Sequence, residues 1–282
     1  MSAGLAVKFR WLLFLSYSLM LSGVSLTALN LYGTTRSLAP EVITLEHLRF
    51  KDKDVLMSKV AFQANRARYP DETDVDYAVR QTVAIAQTMA HVSWGTYPPE
   101  QFHQRVPIWE NYILYLMGQF SGIPEFERYH YSSIEKSLER GIGVCGDVSM
   151  MLSQILDQQG IKNQLITFPG HVMVEADFGS HKQLFDPDFG VVLSKDSLYY
   201  QKDPDEFRQV YIDAGFTNDA ENFLARGIQQ KIQYWNGVSH FITKKYYFEK
   251  ISYVLKWLLP VLLLAFGMYI QYKVKKIKAV AV

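Results

Sequence analysis

Hydrophobic and polar positions are spread unevenly along this chain. From Trp11 to Thr35 (WLLFLSYSLMLSGVSLTALNLYGTT) no charged residue occurs, and about 20 apolar residues in a helix suffice to cross a bilayer core. A second apolar run, residues 251–272 (ISYVLKWLLPVLLLAFGMYIQY), leads straight into Lys273, Lys275, Lys276 and Lys278. Between the two runs the pattern changes. Residues 41–69 read as a helix with a mixed charged surface. Pro70 breaks it, and the acidic PDETD suits the start of the next helix. There Val79, Val83, Ile85, Ala86 and Met89 recur at roughly helical spacing. VPIWENYILYLMGQF predicts a buried helix, and YSSIEKSLERGIG one that Gly141 and Gly143 stop. DVSMMLSQILDQQG places Val148, Met151, Leu152, Ile155 and Leu156 on one helical face, with Gly160 ending it. After it come NQLITF, HVMVEADF and KQLFDPDFG, strand-like and separated by glycine-bearing turns. Helices followed by strands predict an α+β fold.

The terminal runs set the expected topology. A cleaved signal peptide is the rival reading of the first, but its apolar region is usually about 7–15 residues. This run is longer, and Leu26 sits where a cleavage site wants a small side chain. The second reads as a membrane helix. Trp257, Tyr269 and Tyr272 suit the interfacial belts, Lys256 is placed to snorkel, and Pro260 is tolerated near a helix end. Lys8 and Arg10 before the first run, and the lysines after the second, put both ends in the cytoplasm. Lys244, Lys245 and Lys250 weaken that asymmetry without reversing it. The expected division is a cytoplasmic start (1–10), a transmembrane helix (11–32) and a helical exported region (33–104). A core (105–200), a C-terminal exported region (201–250), a second transmembrane helix (251–272) and a basic cytoplasmic tail (273–282) follow. In a bacterium this is an inner-membrane protein with its main domain in the periplasm. The 282 residues carry a formal net charge of +1, and no basic patch interleaved with aromatics points to nucleic acid.

One cysteine is present, which fits an oxidising compartment because it has no partner for an intrachain disulfide. Cys145 lies where a glycine-rich turn becomes a helix, and a helix N-terminus stabilises a thiolate and an oxyanion. A small buried hydrophobe is the plain alternative. His171 opens one strand and Asp186 lies in the next. A hairpin turning on Phe178 and Gly179 sets His171 opposite Asp186. One turning on Gly179 and Ser180 sets it opposite Asp188, with Asp186 diagonal. Both put Asp186 on the face of His171, where a carboxylate orients the imidazole toward a thiol. Asn111 is a candidate for the side-chain half of an oxyanion hole, against a plainer role as a buried cap. Asp188 is a candidate to share the histidine, or to bind a cation with Asp186 and Asp177. The plainer reading of these acids is solvated turn carboxylates. His47, His91, His103, His130, His181 and His240 show no metal-ligand spacing.

GVCGDVSMMLSQIL, GHVMVEA and LFDPD together resemble the three-part core of the transglutaminase-like, papain-like superfamily, over about residues 105–195. The resemblance implies Cys145 as nucleophile, His171 as base and then acid, and Asp186 as the orienting carboxylate. IWEN, ERGIGVCGD and DPDFGVVL extend it toward membrane-linked bacterial members associated with envelope polysaccharide assembly. This sequence departs from the crosslinking transglutaminases in carrying Gly146 and Asp147 after the cysteine instead of an aromatic, and an acid there opposes thiolate formation unless it points away. The expected activity is amide or peptide hydrolysis, or transamidation, without a cofactor. Expected partners are the inner membrane and envelope proteins, peptides or polysaccharide-assembly components. Calcium assists some superfamily members, but a hard cation wants six or more oxygens, and the sequence assembles no such set. A scaffold that keeps the fold without turnover is the alternative function.

Overall fold

The computed structural model describes residues 3–217 and 219–280. The outermost residues of the two expected cytoplasmic ends, 1–2 and 281–282, lie outside the described residues. The helices in chain order are α1 (Ala3–Gly33), α2 (Lys59–Asn65), α3 (Asp74–Thr88), α4 (Tyr112–Phe120), α5 (Pro124–Glu127) and α6 (Ile134–Arg140). They continue with α7 (Cys145–Gln158), α8 (Ser197–Lys202), α9 (Pro204–Asp213), α10 (Ala220–Ile228), α11 (Val238–Phe241) and α12 (Thr243–Val280). The strands are β1 (Ala90–His91), β2 (Ile142–Gly143), β3 (Lys162–Phe168), β4 (His171–Asp177), β5 (Lys182–Asp186), β6 (Val191–Leu193) and β7 (Gln233–Trp235). The fold is α+β. Two compact units form.

The larger unit comprises Leu38–Arg105 and Arg128–Tyr247. Its centre is an antiparallel sheet in the order β6-β5-β4-β3-β7. Because side chains alternate along a strand, Leu165, Val174, Ala176 and Phe185 face α3 and α7. Ile166, Phe168, Met173 and Leu184 face the other way, into a cluster with Tyr200, Phe207, Tyr211 and Leu224 from α8, α9 and α10. Covered on both faces, the sheet is hydrophobic at nearly every central position. The expected face of α7 is buried as read, with Val148, Met151, Leu152, Ile155 and Leu156 all within 1% exposure.

Two tight turns fix the registers. β3 and β4 close through Pro169 and Gly170, with Phe168 paired to His171. Gly170 has φ +85°, the left-handed value demanded after proline in a type II turn. β4 and β5 pair Val174 with Phe185 and Asp177 with Lys182. This is the register of the Gly179–Ser180 turn, in which Gly179 has φ +83°, and it continues to His171 opposite Asp188.

The residues around 41–69 depart from the helix expected there: only Lys59–Asn65 is α-helical, after a single 3-10 turn at Lys51–Lys53. The preceding residues run as a strap whose polar groups are satisfied elsewhere. Leu48 bridges Val92, the Arg49 N–H donates to the His91 carbonyl at 2.8 Å, and Asp54 pairs with the His91 ring. Tertiary partners replace the i→i−4 bonds a helix would have used. α3 packs on α7, so Leu38–Arg105 shares a compact unit with Arg128–Tyr247, and the chain passes into the other unit between Arg105 and Val106.

The second unit comprises residues up to Ser37, Val106–Glu127 and residues from Phe248 on. Val7–Gly33 and Thr243–Ala279 are long and apolar enough to cross a membrane, with only 11% and 17% of their most apolar windows buried. The core helix of a soluble domain would be mostly covered. α1 and α12 approach closely at glycines: a Cβ at Gly267 would sit 2.6 Å from Met20 Cγ and 2.9 Å from the Ser16 carbonyl oxygen. Ser16 Oγ donates to the Gly267 carbonyl at 2.8 Å. Lys256, expected to snorkel outward, is instead buried, and its ammonium donates to the Glu110 carbonyl at 2.5 Å.

Candidate functional site

The site begins with how the chain delivers Cys145. α6 ends at Gly141, whose φ of +71° provides the left-handed C-cap. β2 then pairs in parallel with β1, Ala90 against Ile142 and His91 against Gly143, which fixes the backbone just before the thiol. Val144 takes the N-cap position and Cys145 is the first residue of α7. At this position the Cys145 and Gly146 N–H groups have no acceptor within the helix. The approach is open as well, since a Cβ on Gly146 would meet nothing within 4 Å. One turn on, Ser149 Oγ donates to the Val172 carbonyl at 3.0 Å, tying α7 to β4 beside His171.

Asp147 does not leave a bare acid beside the sulfur. Its carboxylate accepts the Val144 N–H at 3.0 Å, sits 2.8 Å from His130 Nδ1, and accepts from Arg140 Nη2 at 3.3 Å. Arg140 and Asp147 are both fully buried. Burial pushes the Asp147 carboxyl up, but His130 and Arg140 outweigh it and hold the group below its ordinary value. The negative charge that the sequence placed next to the nucleophile is spent on a structural knot under the start of α7. Trp94 caps the knot, its ring centre 4.7 Å from that of His130 at a tilt of 39° and the Arg140 guanidinium 4.6 Å from it.

His171 and Asp186 come together on the sheet face of Met173 and Leu184. His171 Nε2 is 2.7 Å from Asp186 Oδ2. The same oxygen accepts the Tyr211 hydroxyl at 2.6 Å, and Oδ1 accepts the N–H groups of Asp188 and Phe189 at 3.0 and 3.3 Å. An ionised carboxylate only accepts, so Nε2 carries the proton and Nδ1 is left for the sulfur. Burial works against protonating His171, yet the Asp186 charge, its hydrogen bond and the neighbouring Cys145 prevail, so the His171 pKa lies well above the ordinary value. Tyr211, from α9, is pushed well above its own ordinary value by burial and by Asp186, and stays a neutral donor.

Asp188 completes the cluster. One of its oxygens, a His171 ring nitrogen and Cys145 Sγ all lie within 4.8 Å of one another. It is buried to 1% exposure, not solvated as its turn position suggested. Arg49 Nη1 donates to it at 3.2 Å, and His91 Nε2 stands 3.6 Å away. Asp177 joins none of this: its carboxylate accepts the Gly179 N–H at 2.8 Å in the hairpin turn. Sulfur, nitrogen and oxygen donors suit a softer ion such as zinc far better than calcium. The Arg49 guanidinium competes for the Asp188 oxygen that any such ion would need.

Cys145, His171, Asp188 and Arg49 line a cavity of about 330 Å³, with Ser93, Val144, Gly170, Phe189 and residues of α10. No protein-family model, no curated protein and no solved structure matches this chain. The functional reading therefore rests on the geometry.

Asn111 takes no part in the cluster. It lies in the second unit, where its Oδ1 accepts the Ile113 and Leu114 N–H groups as the cap of α4 and its amide donates to Ser252 Oγ at 3.1 Å. With both ends of the amide engaged and the side chain buried, it is a structural cap, and the oxyanion role considered for it is withdrawn. The backbone N–H groups at the start of α7 are the donors the site offers instead. Tyr211, Arg49, His91 and Arg140 carried no signal in the sequence. Tyr211 is one of 18 tyrosines, on the buried face of an ordinary amphipathic helix, and Arg49 lies in the strap that was read as a charged helix.

Proposed function

We propose that the protein is a membrane-anchored cysteine-dependent acyl-transfer enzyme with Cys145, His171 and Asp186 as its triad. The observation that carries this is the His171 ring, bonded through Nε2 to Asp186 at 2.7 Å, with Cys145 Sγ at the start of a helix within 4.8 Å of a ring nitrogen. An orienting acid, a ring and a nucleophile in that order are what covalent catalysis on an acyl group requires. A cysteine at a helix start followed by strands that bear the histidine and the aspartate is what supports reading the core as transglutaminase-like or papain-like. The two apolar helices support membrane association; an inner membrane, cytoplasmic termini and a periplasmic larger unit are part of the proposal and rest on the basic flanks of the two runs. An amide or peptide of the envelope is the acyl donor in this reading, in the service of polysaccharide assembly or export.

In the resting site the raised pKa of His171 favours imidazolium. Cys145 Sγ attacks the acyl carbon, and the developing oxyanion is met by the N–H groups opening α7. The carbon–nitrogen bond breaks as His171 gives its Nδ1 proton to the leaving amine, forming a thioester. Water or a second amine, deprotonated by Nδ1, then attacks the thioester and returns the thiolate. Asp186 and Tyr211 keep the ring in place throughout.

The test is labelling of Cys145 by iodoacetamide at neutral pH in full-length protein. Loss of general base assistance is worth about 10²–10⁴-fold in catalysis, so His171→Ala should label at least tenfold more slowly than wild type, with and without a chelator. Equal rates would exclude the triad. Rates that rise on adding a chelator would instead point to a metal held by Cys145, His171 and Asp188, because a coordinated thiolate is shielded from alkylation.

A further inference from the structure

Arg49 has an unusual setting for a residue at the mouth of a cavity. Its guanidinium carbon lies 4.9 Å from the centre of the Phe50 ring and 5.9 Å from that of Phe189. Its Nη1 donates to both oxygens of the buried Asp188, at 3.2 and 3.5 Å. Two rings and a carboxylate thus hold the plane of the group in one orientation. These contacts engage Nη1 alone. The Nε–H and the Nη2 donors, which point side by side from the other edge of the guanidinium, make no hydrogen bond among the described residues. That edge is the fork whose geometry matches a carboxylate in two parallel bonds.

The placement of this fork bears on chemistry. Arg49 lines the cavity that holds Cys145 and His171, and it also lines a neighbouring pocket of about 250 Å³ with Lys51, Lys53 and Thr217. It is the residue common to the two. Lys53 is already held by the Ala214 and Gly215 carbonyls and lies 4.2 Å from the centre of the Phe216 ring, whereas Lys51 is exposed. Asp188 is the one acid lining the nucleophile's cavity among the described residues, and Arg49 already faces it. A substrate anion entering there meets cations at its outer end and no free carboxylate.

We propose that Arg49 is a specificity residue that receives an anionic group of the acyl donor, so that the substrate is an amide carrying a carboxylate or phosphate close to the scissile carbonyl. This rests on the proposed acyl-transfer reading. The fork favours a carboxylate, because a planar two-oxygen group meets both donors at once. Asp188 acts here as a positioning residue: it holds Nη1 and leaves the Nε–H and Nη2 edge of Arg49 unengaged in the wall of the cavity that holds Cys145.

Two thiol reagents of nearly equal size test this directly. Iodoacetate carries a carboxylate one carbon from the reacting centre, and iodoacetamide carries a neutral amide. The readout is the ratio of their rates at Cys145 within each protein, so any general effect of a substitution on the thiol or on folding cancels. A charge-assisted pair is worth about a tenfold factor. Wild type should therefore favour iodoacetate by roughly tenfold relative to Arg49→Gln, with Arg49→Lys between them because it keeps charge without the fork. The same ratio in all three proteins would overturn the assignment, while the His171→Ala result would still decide the triad separately. Protection of wild type from iodoacetamide by glutarate identifies a carboxylate ligand, and protection by inorganic phosphate a phosphoryl one. Failure of both at concentrations up to tens of millimolar would also overturn it.

Discussion

At the scale of single residues, the site is governed by which acid holds which base. Asp186 and Asp188 are neighbours on one strand end and have separate tasks: the first fixes His171 and the second fixes Arg49. The sequence placed His171 and Asp186 on one face whichever hairpin formed, because the two registers differ by two residues and side chains repeat with the same period. It could not apportion Asp188, since its partner Arg49 lies more than a hundred positions earlier and no local pattern couples them. The His171 charge carries a consequence for stability. Its folded pKa is raised above an unfolded value near 6.5. The stabilisation is therefore fully present below about pH 6.5 and is lost as the pH climbs through the folded value. Thermal unfolding of wild type should thus shift downward as the pH rises above about 6.5, and His171→Gln should lack that part of the shift. An identical pH dependence in the two proteins would contradict the assignment of charge to this ring.

At the scale of elements, short turns do the positioning. Pro169 and Gly170 start β4 at His171, and Gly170 lines the nucleophile's cavity. A Cβ added there would face both the φ of +85° and the Phe223 ring, with Phe223 Cζ 2.3 Å away. Gly170→Ala should consequently lower stability by roughly 1–3 kcal/mol, measured by urea unfolding, and slow Cys145 labelling because α10 must retreat or the turn must open. Unchanged stability would show that the turn relaxes freely. This turn was readable from its Pro-Gly pair, as was the face of α7 from its apolar spacing. The strap before α2 was not readable, because its charges and apolar residues mimic a surface helix. Its true conformation is set by partners in β1, among them the His91 carbonyl and ring.

At the scale of the whole molecule, the terminal helices and the larger unit were legible to different degrees. Runs of uncharged residues announce themselves, so both long helices were expected, although α12 proceeds unbroken through Pro260 and extends from Thr243 to Val280. The allocation of Val106–Glu127 to the unit of those helices was hidden, because it depends on contacts such as Tyr253 with Glu110 across a long stretch of chain. In the proposed topology, with both termini cytoplasmic, a fluorescent protein that matures only in the cytoplasm should light up when fused after Val282. A fusion replacing everything after Lys231 should stay dark. The reverse pattern would invert the proposed topology and move the sulfur to the other compartment.

The presence of one cysteine in 282 residues also determines how this protein would age. Peroxide converts an accessible thiolate to a sulfenic acid, which is rescued most simply when a neighbouring thiol condenses with it. Cys145 has no such neighbour anywhere in the chain, so the damaged form can only wait for a thiol supplied by another molecule or proceed to irreversible acids. Its working lifetime is thereby tied to an external reductant.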